Sequence, residues 1–131
     1  MTISYRLGND LDPAAVSALY SAAGLKRPAD LARLAAMYRA SNLVISAWDG
    51  GRLVGVARSL TDFRYACYLS DLAVDAAYQR QGIGKRLIEE TEKYLGEESL
   101  LLLLAAPTAE GYYPHIGFSP VTNGWIKLRR K

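Results

Sequence analysis

Apolar and polar positions change their period several times along the chain. Ile3 to Leu7 alternates, which predicts a short strand. Asp12-Pro13 sets an N-cap residue before a proline in the first turn of a helix. Val16, Leu19, Tyr20 and Ala23 follow at helical spacing, and Gly24 ends the helix. A second helix starts near Pro28, with Leu31, Leu34, Ala35 and Tyr38 on one face. After Ser41-Asn42 the period falls to that of a strand. Leu43 to Trp48, a turn at Asp49-Gly50-Gly51 and Leu53 to Leu60 make a hairpin. The loop Thr61 to Ala66 leads into a third strand of this run, Cys67 to Val74. Gly82 to Leu95 returns to helical spacing: Ile83, Leu87, Ile88, Thr91, Tyr94 and Leu95 share a face opposite Lys85, Arg86, Glu89, Glu90, Glu92 and Lys93. Leu100 to Ala105 is apolar without alternation, the pattern of a strand covered on both faces. Pro107 to Tyr113 reads as a short helix, Asn123-Gly124 as a turn and Trp125 to Leu128 as a last strand. The predicted class is α+β: a mixed sheet, antiparallel at first, with one right-handed parallel β-α-β crossover.

At 131 residues the chain suits one domain, residues 1–131, with enough apolar surface to fold without a disulfide or metal. No apolar run approaches the roughly 20 residues of a membrane span, and no signal peptide is apparent, so a soluble cytoplasmic protein with no membrane partner is expected. One cysteine, Cys67, and one histidine, His115, argue against a disulfide framework and against a metal site. The net charge of +3 rests partly on a basic tail of Lys127, Arg129, Arg130 and Lys131. A tail of this kind reads as a solvated terminus, and no nucleic-acid partner is expected. A mild positive balance also suits an anionic small ligand.

The candidate chemistry lies in Gln79-Arg80-Gln81-Gly82-Ile83-Gly84-Lys85, between a strand and a helix. A helix N-terminus presents unpaired N–H groups and partial positive charge, and glycine removes side chains that would keep an oxyanion away. The spacing does not fit a Walker loop, because Gln79 stands where its first glycine belongs and Arg86 follows Lys85. It does not fit a dinucleotide fingerprint either, since Leu87 occupies the third glycine position. The loop predicts a phosphate-bearing ligand of another kind.

Gln79, Gly82 and Gly84, after Leu72-Ala73-Val74, resemble the Gln/Arg-x-x-Gly-x-Gly/Ala loop of the GNAT superfamily of N-acetyltransferases. Ala109, Tyr113, Gly117 and Phe118 resemble that family's second segment, and the apolar strand between the two blocks matches as well. The resemblance implies an acyltransferase that uses acetyl-CoA as co-substrate and no metal. Backbone N–H groups of Gln81, Gly82, Ile83, Gly84 and Lys85 would then hold the pyrophosphate, with Gln79 and Arg80 in the same loop. The pantetheine arm would pair along Leu72-Ala73-Val74. Tyr113 would protonate the leaving thiolate, with Tyr112 as the alternative donor. Two residues depart from the family pattern: Ala106, where asparagine is common, and Pro114 directly after Tyr113.

Asp71 shares a strand face with Ala73 and is either a group that contacts the amine or steers a proton path, or a carboxylate paired with Arg58 or Arg64. His115 reads as a surface or cap residue and Cys67 as a core residue. Acceptor specificity is expected in the first two helices and the loop after the hairpin, where Arg27, Arg33, Trp48, Asp62, Phe63, Arg64 and Tyr65 are available. The expected partner is a small-molecule primary amine. A protein lysine or N-terminus, and a non-catalytic CoA-binding module, are the alternatives. Members of that family often form homodimers, in which Trp125 could help cover a sheet edge; the sequence leaves the oligomeric state open.

Overall fold

Asp12 and Asp30 begin the first two helices in the same way. The Asp12 carboxylate accepts from the Ala14 N–H at 3.1 Å, and that of Asp30 from the Ala32 N–H at 3.0 Å. These caps set α1 (Pro13–Ala23) and α2 (Leu31–Ala40). The second helix thus starts at Asp30-Leu31, a turn later than Pro28 suggests. The computed structural model describes residues 2–131, the Thr108 side chain excepted. It places one five-stranded sheet in the order β1 (Ile3–Leu7), β2 (Leu43–Asp49), β3 (Arg52–Thr61), β4 (Ala66–Val74), β5 (Leu100–Leu103). The first four strands pair antiparallel, and β5 joins β4 in parallel through the crossover helix α3 (Ile83–Glu92). The α+β class and the single parallel crossover agree with the sequence pattern.

Helices cover both faces of the sheet. Ile83, Leu87 and Ile88 of α3 pack with Ile45, Val54, Ala57 and Leu69. On the other face, Val16, Leu19 and Leu34 of α1 and α2 pack with Val44, Val56 and Ala73. Gly55 permits the α3 contact: a Cβ there would lie 3.1 Å from Leu87 Cδ1 and 3.3 Å from Ile83 Cγ2.

A bulge in β4 decides which layer each residue serves. Arg58 faces Asp71 and Ser59 faces Leu69, so Ser70 is the extra residue. Before it, Cys67 and Leu69 join the α3 layer. After it, Ala73 joins the α1/α2 layer and Asp71 reaches Tyr20 of α1.

Three expectations for the C-terminal part are corrected. Trp125 to Leu128 forms no strand, and among the described residues no backbone hydrogen bond joins residues 119–131 to the sheet. The turn at Asn123-Gly124 and the apolar residues after it suggested that strand, and here no neighbouring backbone completes it; Trp125 is 97% exposed. In consequence β5 is the sheet edge and is not covered on both faces: Leu100, Leu102 and Leu104 are exposed. The expected short helix at Pro107 to Tyr113 is two 3-10 turns, Pro107–Ala109 and Tyr113–Ile116, with Pro114 in the first turn of the second.

Candidate active site

β4 and β5 separate partway along. Their pairing runs from Ala66–Leu100 to Leu69–Leu103 and stops there. Beyond it, Ser70 to Val74 have β3 on one side and no strand on the other. A cavity of about 700 Å³ fills the gap and reaches α3. Leu72, Ala73 and Val74 form one wall, the loop from Gln79 to Lys85 the end, and Ala106, Tyr112 and Tyr113 the other wall. Of the loop residues singled out in the sequence, Gln79, Arg80, Gly82, Ile83, Gly84 and Lys85 line the cavity; Gln81 is exposed and does not.

The loop is shaped by its backbone. Asp75 caps a 3-10 turn, Ala76–Tyr78, by accepting from the Ala77 N–H at 2.9 Å. It also holds Arg52 at 2.9 Å. The Gln79 side chain donates to the Val74 C=O at 3.0 Å, tying the loop back to the end of β4. Arg80 and Gly82 both adopt left-handed backbone, with φ of 64° and 82°. The first helical hydrogen bond of α3 runs from the Arg86 N–H to the Gly82 C=O at 3.0 Å. The N–H groups of Ile83, Gly84 and Lys85 therefore have no partner within the helix. A Cβ at Gly84 would stand 3.7 Å from the Tyr112 Oη and 3.8 Å from Val74 Cγ2, in the space where a phosphate would meet those donors. Donors, cations and an open strand edge in one cavity fit a ligand that joins a phosphate group to an amide-bearing arm.

Asp71 is fully buried behind this wall. One carboxylate oxygen accepts from Arg27 Nε at 2.5 Å. The other accepts from Arg58 Nε at 2.6 Å and from the Tyr20 hydroxyl at 2.8 Å. Burial pushes its pKa up. The hydrogen bond and charge of Arg58, then the charge of Arg27 and the Tyr20 hydrogen bond, outweigh burial and hold it below the usual carboxylate range. Tyr20 also meets Tyr38 at 2.5 Å between hydroxyls, and burial pushes Tyr38 up to about 12. Arg64, the other partner considered for Asp71, instead faces Glu98 at 3.8 Å on the surface.

The family model described as an acetyltransferase (GNAT) domain matches residues 16–126. The chain belongs to the GNAT acetyltransferase family. It is 30% identical over 135 aligned residues to a probable acetyltransferase, TAP2, of Glycine max, covering 93% of this chain and 54% of that protein. The chain spans about half the length of the curated relatives it matches. Among solved structures, a protein of Staphylococcus aureus described as a probable acetyltransferase superposes with a TM-score of 0.86 at 22% identity, covering 98% of this chain and 99% of that one. The aminoglycoside N-acetyltransferase AAC(6')-Iy, solved in complex with CoA, superposes at 0.75 with 16% identity, covering 99% and 96%. These likenesses carry the GNAT fold.

Within this GNAT domain the two tyrosines sit differently. Tyr113 is half-buried, with its ring edge-on to Tyr112 at 5.3 Å and to Phe118 at 5.5 Å. Burial, then the neighbouring Tyr112, pushes its pKa up. Tyr112 is more exposed, and its hydroxyl lies over Gly84 at the phosphate end of the cavity. The sequence reading assigned no site role to five lining residues. Ala23 and Gly24 were read as a helix position and a helix stop, with Leu25 beside them; Tyr78 and Ile116 stood within the two resembling segments without a role of their own. His115 is exposed and Cys67 is buried in the core. Among the described residues no helix is long and apolar enough to cross a membrane.

Proposed function

We propose that this GNAT domain transfers an acetyl group from acetyl-CoA to a primary amine of a small molecule, by direct attack in a ternary complex. The observation that carries the reading is the single cavity in which the open edge of β4, the unpaired N–H groups at the start of α3 and Tyr113 meet. CoA bound to AAC(6')-Iy supports the choice of co-substrate, and its description as an aminoglycoside N-acetyltransferase supports a small-molecule amine. The unit of action is the whole of residues 1–131, and its setting the cytoplasm.

Ile83, Gly84 and Lys85 would hold the pyrophosphate with backbone N–H groups, and Arg80 would add charge. The backbone groups of Leu72-Ala73-Val74 that face away from β3, apart from the Val74 C=O already held by Gln79, would take the amides of the pantetheine arm. When bound, acetyl-CoA supplies an activated thioester. A β4 N–H beside its carbonyl polarises that carbonyl. The acceptor must present a neutral nitrogen, so a proton leaves it through water at the cavity mouth. Tyr113, kept neutral by burial, supplies the proton that the departing thiolate takes. Asp71, with both oxygens engaged, fixes Arg27 and Arg58 and through them the bulge at Ser70. The Ala106 side chain offers no hydrogen bond, so the arm would be held by β4.

The test is a thermal melt with acetyl-CoA, with ATP and NAD as controls. Ligand at about 100 times its Kd adds roughly 2.7 kcal/mol, or on the order of 10 °C at this chain length. A shift with acetyl-CoA alone, followed by thiol release with an amine panel, is the expected result. No shift at saturation refutes the reading.

A further inference from the structure

A second cavity, of about 640 Å³, opens beside the first around Ser70. Lys26, Arg27, Arg33, Arg58, Arg129 and Lys131 line it, and no Asp or Glu side chain does. Among the described residues the one side-chain carboxylate within ion-pair distance of any of them is Asp71, behind Arg27 and Arg58. Among the described residues, no carboxylate lies within ion-pair distance of Lys26, Arg33, Arg129 or Lys131.

The two innermost guanidinium groups are fixed. Besides Asp71, Arg58 donates to Ser41 Oγ at 3.1 Å and to Ser70 Oγ at 2.9 Å. Arg27 donates to the Ser70 C=O at 3.0 Å and to the Lys26 C=O at 2.6 Å. Both therefore converge on the bulge residue, two positions before Leu72 in the wall of the acetyl-CoA cavity. The chain after α1 joins the two spaces: residues 23–25 line the first and 26–28 the second. Two residues of strand span roughly 6–7 Å. A small molecule whose amine reached the open edge at Leu72 would extend its other end among these cations.

We infer that the acceptor carries an anionic group, a carboxylate or phosphate, beside its amine: a zwitterion of the amino-acid class. The inference rests on the acetyltransferase reading and narrows its substrate. A cleft lined by one sign of charge concentrates ligands of the opposite sign, and guanidinium forks match carboxylate and phosphate geometry. The same field opposes a polyamine such as an aminoglycoside, and it opposes a lysine-rich peptide. The outer cations set affinity; the inner pair, locked on Asp71 and Ser70, sets where the anion stops.

The test has a kinetic arm and a binding arm. In the first, thiol release from acetyl-CoA is followed with ω-amino acids of increasing chain length, their amides, phosphoethanolamine and the polyamine neamine. The amino acids should exceed their amides at least ten-fold in kcat/KM, and phosphoethanolamine against the carboxylates tells which anion is preferred. Arg33 and Arg129 are exposed, so Arg33→Gln and Arg129→Gln should fold. Together they should raise KM for the anionic acceptors about ten-fold and, by weakening the field that opposes cations, leave KM for the amides equal or lower. Amides or neamine used as well as the amino acids would overturn the inference while leaving the acetyltransferase reading intact. In the second arm, melts are run with CoA, and with N-acetyl amino acids against their amides. A protein that CoA fails to stabilise loses the acetyltransferase reading. The cationic cavity is then judged alone: selective stabilisation by the N-acetyl carboxylates supports the anion site, and its absence refutes it.

Discussion

Replacing Asp71 by asparagine separates a structural carboxylate from a catalytic base. The substitution keeps the shape but removes the charge that Arg27 and Arg58 share. Asparagine offers one oxygen, so one guanidinium keeps its partner and the other faces an NH2 group. Arg58 is only 7% exposed and cannot turn to water, whereas Arg27 is partly exposed and can. Breaking a buried pair from one side costs about 3–5 kcal/mol. The partial exposure of Arg27 places this case near 3 kcal/mol on that scale. Unfolding entropy of about 2.1 cal/mol/K per residue then gives a fall in Tm on the order of 10 °C. Acid should erase the difference. The folded pKa of Asp71 lies below its unfolded value, so its contribution is complete above an unfolded pKa of about 3.9 and fades as pH falls through the folded one. Calorimetric melts of both proteins from pH 8 downward should run parallel to about pH 5 and converge below it. A variant that melts with the native protein while kcat drops more than about a hundred-fold, the scale of general-base catalysis, would refute this reasoning and make Asp71 the base.

Tyr113→Phe should lower kcat by about a hundred-fold with the acetyl-CoA melting shift retained, whereas Tyr112→Phe should change kcat little; the reverse pattern in steady-state kinetics would move the proton donor to Tyr112. Because burial raises the pKa of Tyr113, the kcat profile should show no decline from this group as pH rises to about 9, below the reference phenol value near 10; a declining limb there that Tyr113→Phe removes would contradict it. Gly55→Ala presses a methyl against Leu87 and Ile83 and should cost about 1–3 kcal/mol in a urea titration. Arg80→Gly relieves a left-handed backbone and should stabilise the free protein by about 1 kcal/mol, while calorimetry should find weaker acetyl-CoA binding.

Much of the sheet and the glycine loop before α3 was legible because their signals are local. Asp12-Pro13 and Gly24 bound a helix by chemistry confined to a few residues, and Asp49-Gly50-Gly51 closes a hairpin by itself. The glycine pair at 82 and 84 carries its own backbone requirement. The rest depends on distant partners. Nothing in the alternation from Cys67 to Val74 discloses the bulge at Ser70, since burial still recurs at every second residue and only the layer changes. Trp125 to Leu128 has a strand's composition, but a strand exists only against another backbone. Asp71 was visible as a buried-face carboxylate with Arg58 as one partner. That Arg27, 44 positions earlier, would take its other oxygen was not, because the contact is made by the chain folding over α1. The cationic cavity was equally hidden, its arginines coming from the α1–α2 connection, α2, β3 and the tail.

The extra residue at Ser70 makes the strand a register with two frames. Deleting it would remove the bulge and the Ser70 contacts of Arg27 and Arg58, but Leu69 already faces Ser59 and Asp71 already faces Arg58, so the shortened strand would pair regularly and Asp71 to Val74 would keep their layers. Flattening the bulge with Ser70 kept in the ladder is the damaging change, because every side chain from Asp71 to Val74 would then exchange layers. The Asp71 carboxylate would enter the aliphatic packing of Leu87 and Ile83, and Leu72 would be carried from the cavity wall towards Tyr20. A segment transplanted from a relative into this strand therefore keeps the layers with two residues between Leu69 and Ala73 in regular pairing, or with three and a bulge.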